Sequence, residues 1–237
     1  KKKIFWKYNL NKNSINHIAL ILDGNKRWSK KNKLNNREGY KKGFDKIIEI
    51  VNYSTQINLN TITLFTLSSE NYQRQSVSLI YDIIYENFNK MLDELIKKKN
   101  IRLKIFGNKE NLPLKIRNIF EEFENIKHDN VKLNLNLAFN YGFKEEIIKV
   151  IKDINIYEKN IKNIDDDKLS KYFYLGKTPD PEILIRTGGY KRLSNFIMYN
   201  LTYTELFFTD TLWPEFSIDE FNEILSSYMK IERKYFL

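Results

Sequence analysis

Short apolar runs alternate with longer stretches of helical period along almost the whole chain. The runs at residues 18–22, 61–67, 101–106, 132–139, 183–186 and 196–199, with a further short one at 206–208, read as β-strands. Between them, residues 40–56 place Phe44, Ile47, Ile48 and Val51 on one helical face. Residues 77–99 form a longer and unusually apolar helical stretch, with Leu79, Ile80, Ile83, Ile84, Phe88, Met91, Leu92 and Leu95. Pro113 suits the first turn of a helix running to about residue 125. Further helices are predicted at 144–154, 166–173 and 218–235. Strand and helix in turn predict an α/β fold: a central, mostly parallel six-stranded sheet flanked by helices.

No Gly/Pro/Ser-rich linker and no shift of composition interrupts the pattern, so residues 1–237 are expected to form a single domain. Hydrophobic residues make up 42% of the chain, enough for a sizeable core. There is no cysteine, which excludes disulfides, thiolate catalysis and cysteine-ligated metals. The two histidines, His17 and His128, are far apart, so a histidine-rich zinc site is excluded as well. His17 opens a strand and is expected to be partly buried, whereas His128 lies in a polar helix end.

The net charge of +10 favours an anionic partner: nucleic acid, a phosphorylated substrate or an acidic membrane surface. The excess is mostly Lys scattered among Asn and Ile, and no recognition helix or base-stacking motif accompanies it. Nucleic acid is therefore not an expected partner. No apolar run approaches the length of a membrane span, and no secretory signal is visible. Residues 1–14 mix basic and aromatic side chains, which suits contact with an anionic bilayer surface or a terminus without a role.

Some local patterns carry no chemistry. The Asp165-Asp166-Asp167 run stands where an N-cap and first helical turn belong, which explains it better than calcium. Gly176-Lys177-Thr178 looks like the end of a P-loop, but Lys171 occupies the place of the first glycine. The Asn-x-Ser/Thr patterns at Asn52 and Asn200 fall in predicted regular structure.

One apolar run ends differently. His17-Ile18-Ala19-Leu20-Ile21-Leu22 leads straight into Asp23-Gly24-Asn25-Lys26-Arg27-Trp28. A buried strand would deliver Asp23 at its carboxyl end, where open α/β sheets bind ligands. Gly24 and Asn25 suit a sharp turn into a helix. An acid able to hold Mg2+, beside N–H donors and an arginine, is chemistry for a phosphate or diphosphate ester.

Three more segments share that form: residues 64–74 with Ser68, Asn71, Tyr72 and Arg74, residues 137–142, and residues 179–196 with Arg186, Arg192 and Ser194. In a parallel sheet these ends lie side by side. Arg27, Arg74, Arg186 and Arg192 would then surround one cleft with Asp23. Unit charges 4 Å apart at an effective dielectric near 20 interact by roughly 4 kcal/mol, so gathered arginines require an anion between them. Two diphosphates would suit.

These segments resemble the signature regions of the cis-prenyltransferases, the family of undecaprenyl and dehydrodolichyl diphosphate synthases. The resemblance runs from about His17 to Pro214. It rests on Asp-Gly-Asn-x-Arg-Trp at 23–28, Ser-x-Glu-Asn-Tyr-x-Arg at 68–74, Ile-Arg-Thr-Gly-Gly at 185–189, Arg-Leu-Ser-Asn-Phe at 192–196 and Leu-Trp-Pro at 212–214. It implies repeated condensation of isopentenyl diphosphate onto an allylic diphosphate (farnesyl or geranylgeranyl diphosphate), with cis geometry at each new double bond. The product would be a long polyprenyl diphosphate for a dolichol or polyprenol glycosyl carrier lipid.

Residue by residue, the resemblance makes Asp23 the Mg2+ and diphosphate aspartate and Glu205 a second acid near the metal. Gly24, Asn25, Lys26, Arg27 and Trp28 match the allylic diphosphate loop. Arg74, Arg186, Arg192 and Ser194 match the isopentenyl diphosphate site, Ser68 is a further substrate-binding candidate, and Asn71 and Tyr72 flank the point of condensation. Asp23, Asn25 and Asn71 would be catalytic. The growing hydrocarbon needs a dry, apolar tunnel, for which residues 61–67 and 77–99 are the candidate walls.

The chain departs from the family pattern in places. An arginine usual after the metal aspartate is Asn36 here, with Arg37 adjacent as its candidate replacement. A usual histidine is Tyr40, and the acid usual after the Thr-Gly-Gly turn is Tyr190. The sequence closes Glu232-Arg233-Lys234-Tyr235-Phe236-Leu237, without the family's Arg-x-Gly motif that reaches across a dimer. A homodimer with further chain, or a heteromer whose other subunit supplies the motif, is the implied assembly. The alternative role is that of the non-catalytic subunit of such a heteromer, although those partners commonly lack the aspartate and arginines kept here. The implied location is cytoplasmic, at the periphery of the endoplasmic reticulum membrane.

Overall fold

Every strand in the computed structural model runs parallel to its neighbours. The structure describes residues 15–72, 76–87, 94–95, 100–110, 112–158 and 161–232. The strands are β1 (His17–Ile21), β2 (Thr61–Ser68), β3 (Ile101–Phe106), β4 (Leu133–Tyr141), β5 (Ile183–Arg186) and β6 (Glu205–Phe208). They form one six-stranded sheet in the order β3-β4-β2-β1-β5-β6. Helices α1 (Asn25–Lys31), α2 (Asn36–Gln56), α3 (Ser76–Glu86), α4 (Leu114–Glu124), α5 (Phe143–Tyr157), α6 (Asp166–Ser170) and α7 (Ile218–Met229) connect or follow the strands.

The central strands are apolar on both faces, as a parallel sheet sandwiched between helices requires. Ile18 and Leu20 of β1 join the larger core with β2, β4, α2, α4 and α7. Ala19 and Ile21 point the other way, into a smaller core with Phe65, Tyr141, Leu184 and Phe196. A one-residue slip of β1 would exchange the two sets, so burial on both sides holds the register Ile21↔Phe65 and Ile21↔Arg186.

Side-chain caps set several helix starts. Asn35 accepts from the backbone N–H of Glu38 at 3.1 Å, so α2 begins at Asn36, four residues before the predicted start at residue 40. Asp165 accepts from the N–H of Lys168 at 2.9 Å, in keeping with a capping role for the acidic run. His17 is wholly buried rather than partly buried. Its Nδ1–H donates to the Pro179 carbonyl and its Nε2 accepts from the Thr63 hydroxyl, both at 2.6 Å.

The stretch 196–199 is not a strand. Ser194 and Asn195 adopt left-handed backbone, φ 51° and 64°, which breaks any extended run. Phe196 is instead buried face to face on Phe65, with ring centroids 4.6 Å apart, and Met198–Leu201 makes a 3₁₀ turn. The run is apolar because it packs beneath the sheet, so its hydrophobicity alone did not reveal its shape. The described part of the 77–99 stretch is helical to Glu86, while residues 88–93 and 96–99 lie outside the described residues.

Candidate active site

The strand order places the candidate site. The connection after β1 leads to β2 on one side, and that after β5 leads to β6 on the other. A crevice opens at such a switch point, beyond the carboxyl ends of the two strands. Asp23 and Arg186 meet there: Asp23 follows β1, Arg186 ends β5, and Arg186 Nη2 donates to Asp23 Oδ2 at 2.8 Å.

Backbone geometry holds Asp23 in place. Its N–H donates to the Thr187 hydroxyl at 3.0 Å, and that hydroxyl donates to the Asp23 carbonyl at 2.8 Å. The same carbonyl accepts from the Trp213 N–H at 3.0 Å, while the Trp213 indole donates to the Gly43 carbonyl at 2.9 Å. Gly24 turns the chain into α1 with φ 124°, and a Cβ there would stand 2.9 Å from the Leu212 backbone. Gly188, φ 85°, lies so close to Arg27 that an added Cβ would meet its Nη2 at 2.4 Å.

The cations converge on this acid. Arg27 Nη2 donates to Asp23 Oδ1 at 3.1 Å, one helical turn away on α1. Arg186 is only 3% exposed, and burial lowers its guanidinium from the usual arginine range while Asp23 opposes that shift. Its Nη1 donates to the Ser194 hydroxyl at 2.6 Å and to the Arg192 carbonyl. Arg192 Nε reaches the same Ser194 hydroxyl at 3.3 Å. The left-handed turn at Ser194 thus brings Arg192 onto the cluster. Arg186 Nε is buried without a partner, a donor left over for a ligand.

An apolar cavity with about 850 Å3 of empty volume, part of it open to solvent, is lined by Leu22 and Asn25, which flank Asp23-Gly24 in the chain. Leu22, Asn25 and Gly43 are among its lining residues, as are Ile83, Leu137 and Phe139. The Asn25 side-chain oxygen is buried without a hydrogen-bond partner. Of the two expected walls, residues 77–99 contribute Ile80, Ile83, Ile84 and Leu95, and residues 61–67 contribute Thr66; α2, β4 and α4 supply most of the rest.

Not every residue singled out in the sequence joins the cluster. Glu205 lies at the amino end of β6, in register with Ile183 and through it with Ile18. That is five residues from the level of Asp23, roughly 16 Å along the strands. Within one copy of the chain these two acids do not share an ion. Among the described residues no group of three or more acids or histidines is placed to hold a metal. Arg37 does not point at the crevice either: it pairs with Glu86 and, at 3.9 Å, with Asp82, tying α2 to α3. Lys26 is exposed on α1 and Trp28 half-buried. Ser68 accepts from the Asn71 N–H at 3.2 Å, which sets Asn71 and Tyr72 in a tight turn just past β2. Arg74 lies outside the described residues.

Sequence reasoning missed two supports. Trp213 was noted only as part of Leu-Trp-Pro, and its buttressing of Asp23 follows from packing. Glu145, on the first turn of α5, accepts from Ser69 at 3.1 Å and from Asn195 at 3.3 Å, linking two of the loops. Nothing in its sequence context marks that role.

The motifs, the switch-point acid and the matching architecture agree with what comparison shows. The model of a family described as putative undecaprenyl diphosphate synthase matches residues 21–236. The chain belongs to the cis-prenyltransferase family. It is 35% identical over 221 residues to an isoprenyl transferase of Aquifex aeolicus, covering 92% of this chain and 94% of the relative. A tritrans,polycis-undecaprenyl-diphosphate synthase (geranylgeranyl-diphosphate specific) of Pyrococcus furiosus is 36% identical over 228 residues, covering 92% and 86%. Among solved structures, lavandulyl diphosphate synthase from Lavandula x intermedia, in complex with dimethylallyl diphosphate, superposes with TM-score 0.87. It is 27% identical, over 93% of this chain and 97% of that one. A probable undecaprenyl diphosphate synthase from Campylobacter jejuni has TM-score 0.77 and 26% identity, covering 94% and 99%. This cis-prenyltransferase has, among its described residues, no helix long and apolar enough to cross a membrane.

Proposed function

We propose that this cis-prenyltransferase condenses isopentenyl diphosphate onto farnesyl or geranylgeranyl diphosphate, building a long cis-polyprenyl diphosphate for a dolichol or polyprenol carrier lipid. The observation that carries this reading is Asp23, clasped by Arg27 and Arg186 and set in the chain between Leu22 and Asn25, which line the apolar cavity. A diphosphate head belongs among the guanidiniums, and a hydrocarbon tail belongs in the cavity.

Mg2+ is the implied cofactor. Asp23 offers it a partly exposed hard oxygen ligand, and among the described residues no group of three or more acids or histidines stands ready to form an all-protein site. Such a donor set suits Mg2+, which keeps waters and takes phosphate oxygens alongside one or two carboxylates. When bound, the ion would neutralise charge on the allylic diphosphate as it departs.

The chain's own residues do the rest. Arg27 holds the allylic diphosphate as its C–O bond breaks. Arg186, Arg192 and Ser194 hold the second diphosphate, so that the double bond of isopentenyl diphosphate faces the allylic carbon. A carbon–carbon bond forms from that π pair, and a proton leaves the adjacent carbon for a diphosphate oxygen. Each charge-assisted bond that strengthens in the transition state contributes about 1.5–3 kcal/mol, so two supply roughly a hundredfold to ten-thousandfold. Apolar walls exclude water, which would otherwise quench the cation.

The test is incorporation of radiolabelled isopentenyl diphosphate onto farnesyl diphosphate by the purified chain. Incorporation into long, solvent-extractable products is expected with Mg2+, and near-complete loss with EDTA or in Asp23→Ala. Full activity in EDTA refutes the metal role, and no transfer, with or without a second family subunit, refutes the reaction. Product from the chain alone supports a homomeric catalyst; product only with an added subunit supports a heteromer.

A further inference from the structure

Tyr190 stands at the centre of the cationic cluster. Its ring centroid lies 4.0 Å from the Arg192 guanidinium carbon, 4.7 Å from that of Arg27 and 5.8 Å from that of Arg186. One of these arginines ends β5, one lies in the loop that carries Tyr190 and one is on α1, so the ring joins the two halves of the site. Gly188 and Gly189, φ 85° and 79°, fold the loop back and put Tyr190 there. The residue is 43% exposed, so the contact is not explained by burial in the core.

Charge makes the arrangement informative. Arg27 and Arg186 share the Asp23 carboxylate, Arg192 stands beside them on the Ser194 hydroxyl, and the three guanidiniums would repel one another if brought together without help. An aromatic face attracts each of them through its quadrupole and adds no charge. A carboxylate at this position would also gather the arginines, but it would cancel one of their charges and compete with an incoming anion.

We infer that Tyr190 is a positioning residue that gathers Arg27, Arg186 and Arg192 into a preformed cradle while leaving their charge available to the diphosphates. The inference rests on the function proposed above and adds to it a ligand class for the unliganded cradle: a bare diphosphate group, held without its prenyl tail. Preorganising the cations lowers the cost of binding and acts on affinity more than on the chemical step.

The experiment measures binding of inorganic diphosphate to the full chain by calorimetry in EDTA, beside steady-state kinetics, for wild type, Tyr190→Phe, Tyr190→Ala and Tyr190→Glu. Thermal melts confirm that each variant is folded. Tyr190→Phe keeps the ring and is expected to bind within twofold of wild type. Tyr190→Ala is expected to bind about tenfold more weakly and to raise KM for isopentenyl diphosphate about tenfold, with kcat changed less than threefold. Tyr190→Glu is expected to bind more weakly still. Binding by Tyr190→Ala within twofold of wild type overturns the inference. So does a loss in Tyr190→Phe equal to that in Tyr190→Ala, a fall in kcat at unchanged KM, or Tyr190→Glu binding as well as Tyr190→Ala. A wild-type protein that binds no diphosphate in EDTA overturns this inference alone, whereas the proposed function falls only if transfer of isopentenyl diphosphate with Mg2+ fails as well.

Discussion

Replacing Arg186 by Met keeps most of its bulk and removes its charge, and the structure sets the consequences for folding and for activity apart. Three hydrogen bonds disappear: to Asp23 at 2.8 Å, to Ser194 at 2.6 Å and to the Arg192 carbonyl. Two of the three acceptors keep another donor. Asp23 retains Arg27 at 3.1 Å and is partly exposed, and Ser194 retains Arg192 at 3.3 Å. Only the Arg192 carbonyl loses the sole side-chain donor seen on it. The stability cost is therefore about 1–2 kcal/mol, not the 3–5 kcal/mol of a buried charge left alone. Substrate loses more. Two charge-assisted bonds to diphosphate, at about 1.5–3 kcal/mol each, predict a fall in kcat/KM of roughly a hundredfold to ten-thousandfold. Arg186→Lys restores charge but not the fork, and is expected to recover only part of the loss. Urea melts and steady-state kinetics with varied isopentenyl diphosphate read the two quantities separately. A folded Arg186→Met enzyme within tenfold of wild type would refute the diphosphate role. A stability loss of about 4 kcal/mol or more would refute the claim that Arg27 and Arg192 sustain the remaining network.

Other outcomes follow from the same coordinates. Burial pushes the His17 imidazole down to about 4, so the folded protein binds fewer protons than the unfolded chain between pH 4 and 6.5. Stability from this group is complete above pH 6.5 and is lost as pH falls, by about 2 kcal/mol at pH 5. His17→Gln is expected to lack that part of the acid sensitivity in denaturant melts, and an unchanged pH profile would contradict it. Gly24→Ala strains a φ of 124° and crowds the Leu212 backbone, which predicts about 1–3 kcal/mol of destabilisation by thermal melt together with loss of transfer activity. Arg37→Ala breaks exposed ion pairs to Asp82 and Glu86, so kcat/KM is expected to stay within about fivefold; a hundredfold fall would put Arg37 back among the substrate ligands. Leu137→Trp adds bulk to the cavity wall and is expected to shorten the polyprenyl product on thin-layer chromatography, whereas unchanged product length would show that the chain grows elsewhere.

Much of the fold was legible because a parallel sheet writes its strands as short apolar blocks. Strands β1 to β5 lie within two residues of the predicted runs, since burial on both faces leaves little room for polar residues. The edge strand β6, with one partner and partial exposure, gave a weaker signal. The misread stretch at 196–199 is apolar for a reason that hydropathy does not encode: Phe196 inserts under the sheet after two left-handed residues. Site residues were legible where a motif sat at the carboxyl end of a central strand, as Asp23 and Arg186 do. Glu205 and Arg37 were placed by resemblance alone. The β5–β6 register puts Glu205 far from Asp23, and two acids on α3 hold Arg37.

By itself, then, the sequence determined the α/β class, the family and the chemistry on offer: one switch-point acid, several arginines and an abundance of apolar wall. These follow from local patterns, because periodicity and motif spacing are properties of neighbouring residues. Tertiary structure decided which groups meet. The partners of Arg186 lie up to 163 positions away along the chain, and Tyr190 meets Arg27 only because two glycines fold its loop back onto α1. Contacts of that separation depend on strand order, which is not written in the run of residues around them, even where a Gly-Gly pair marks the turn.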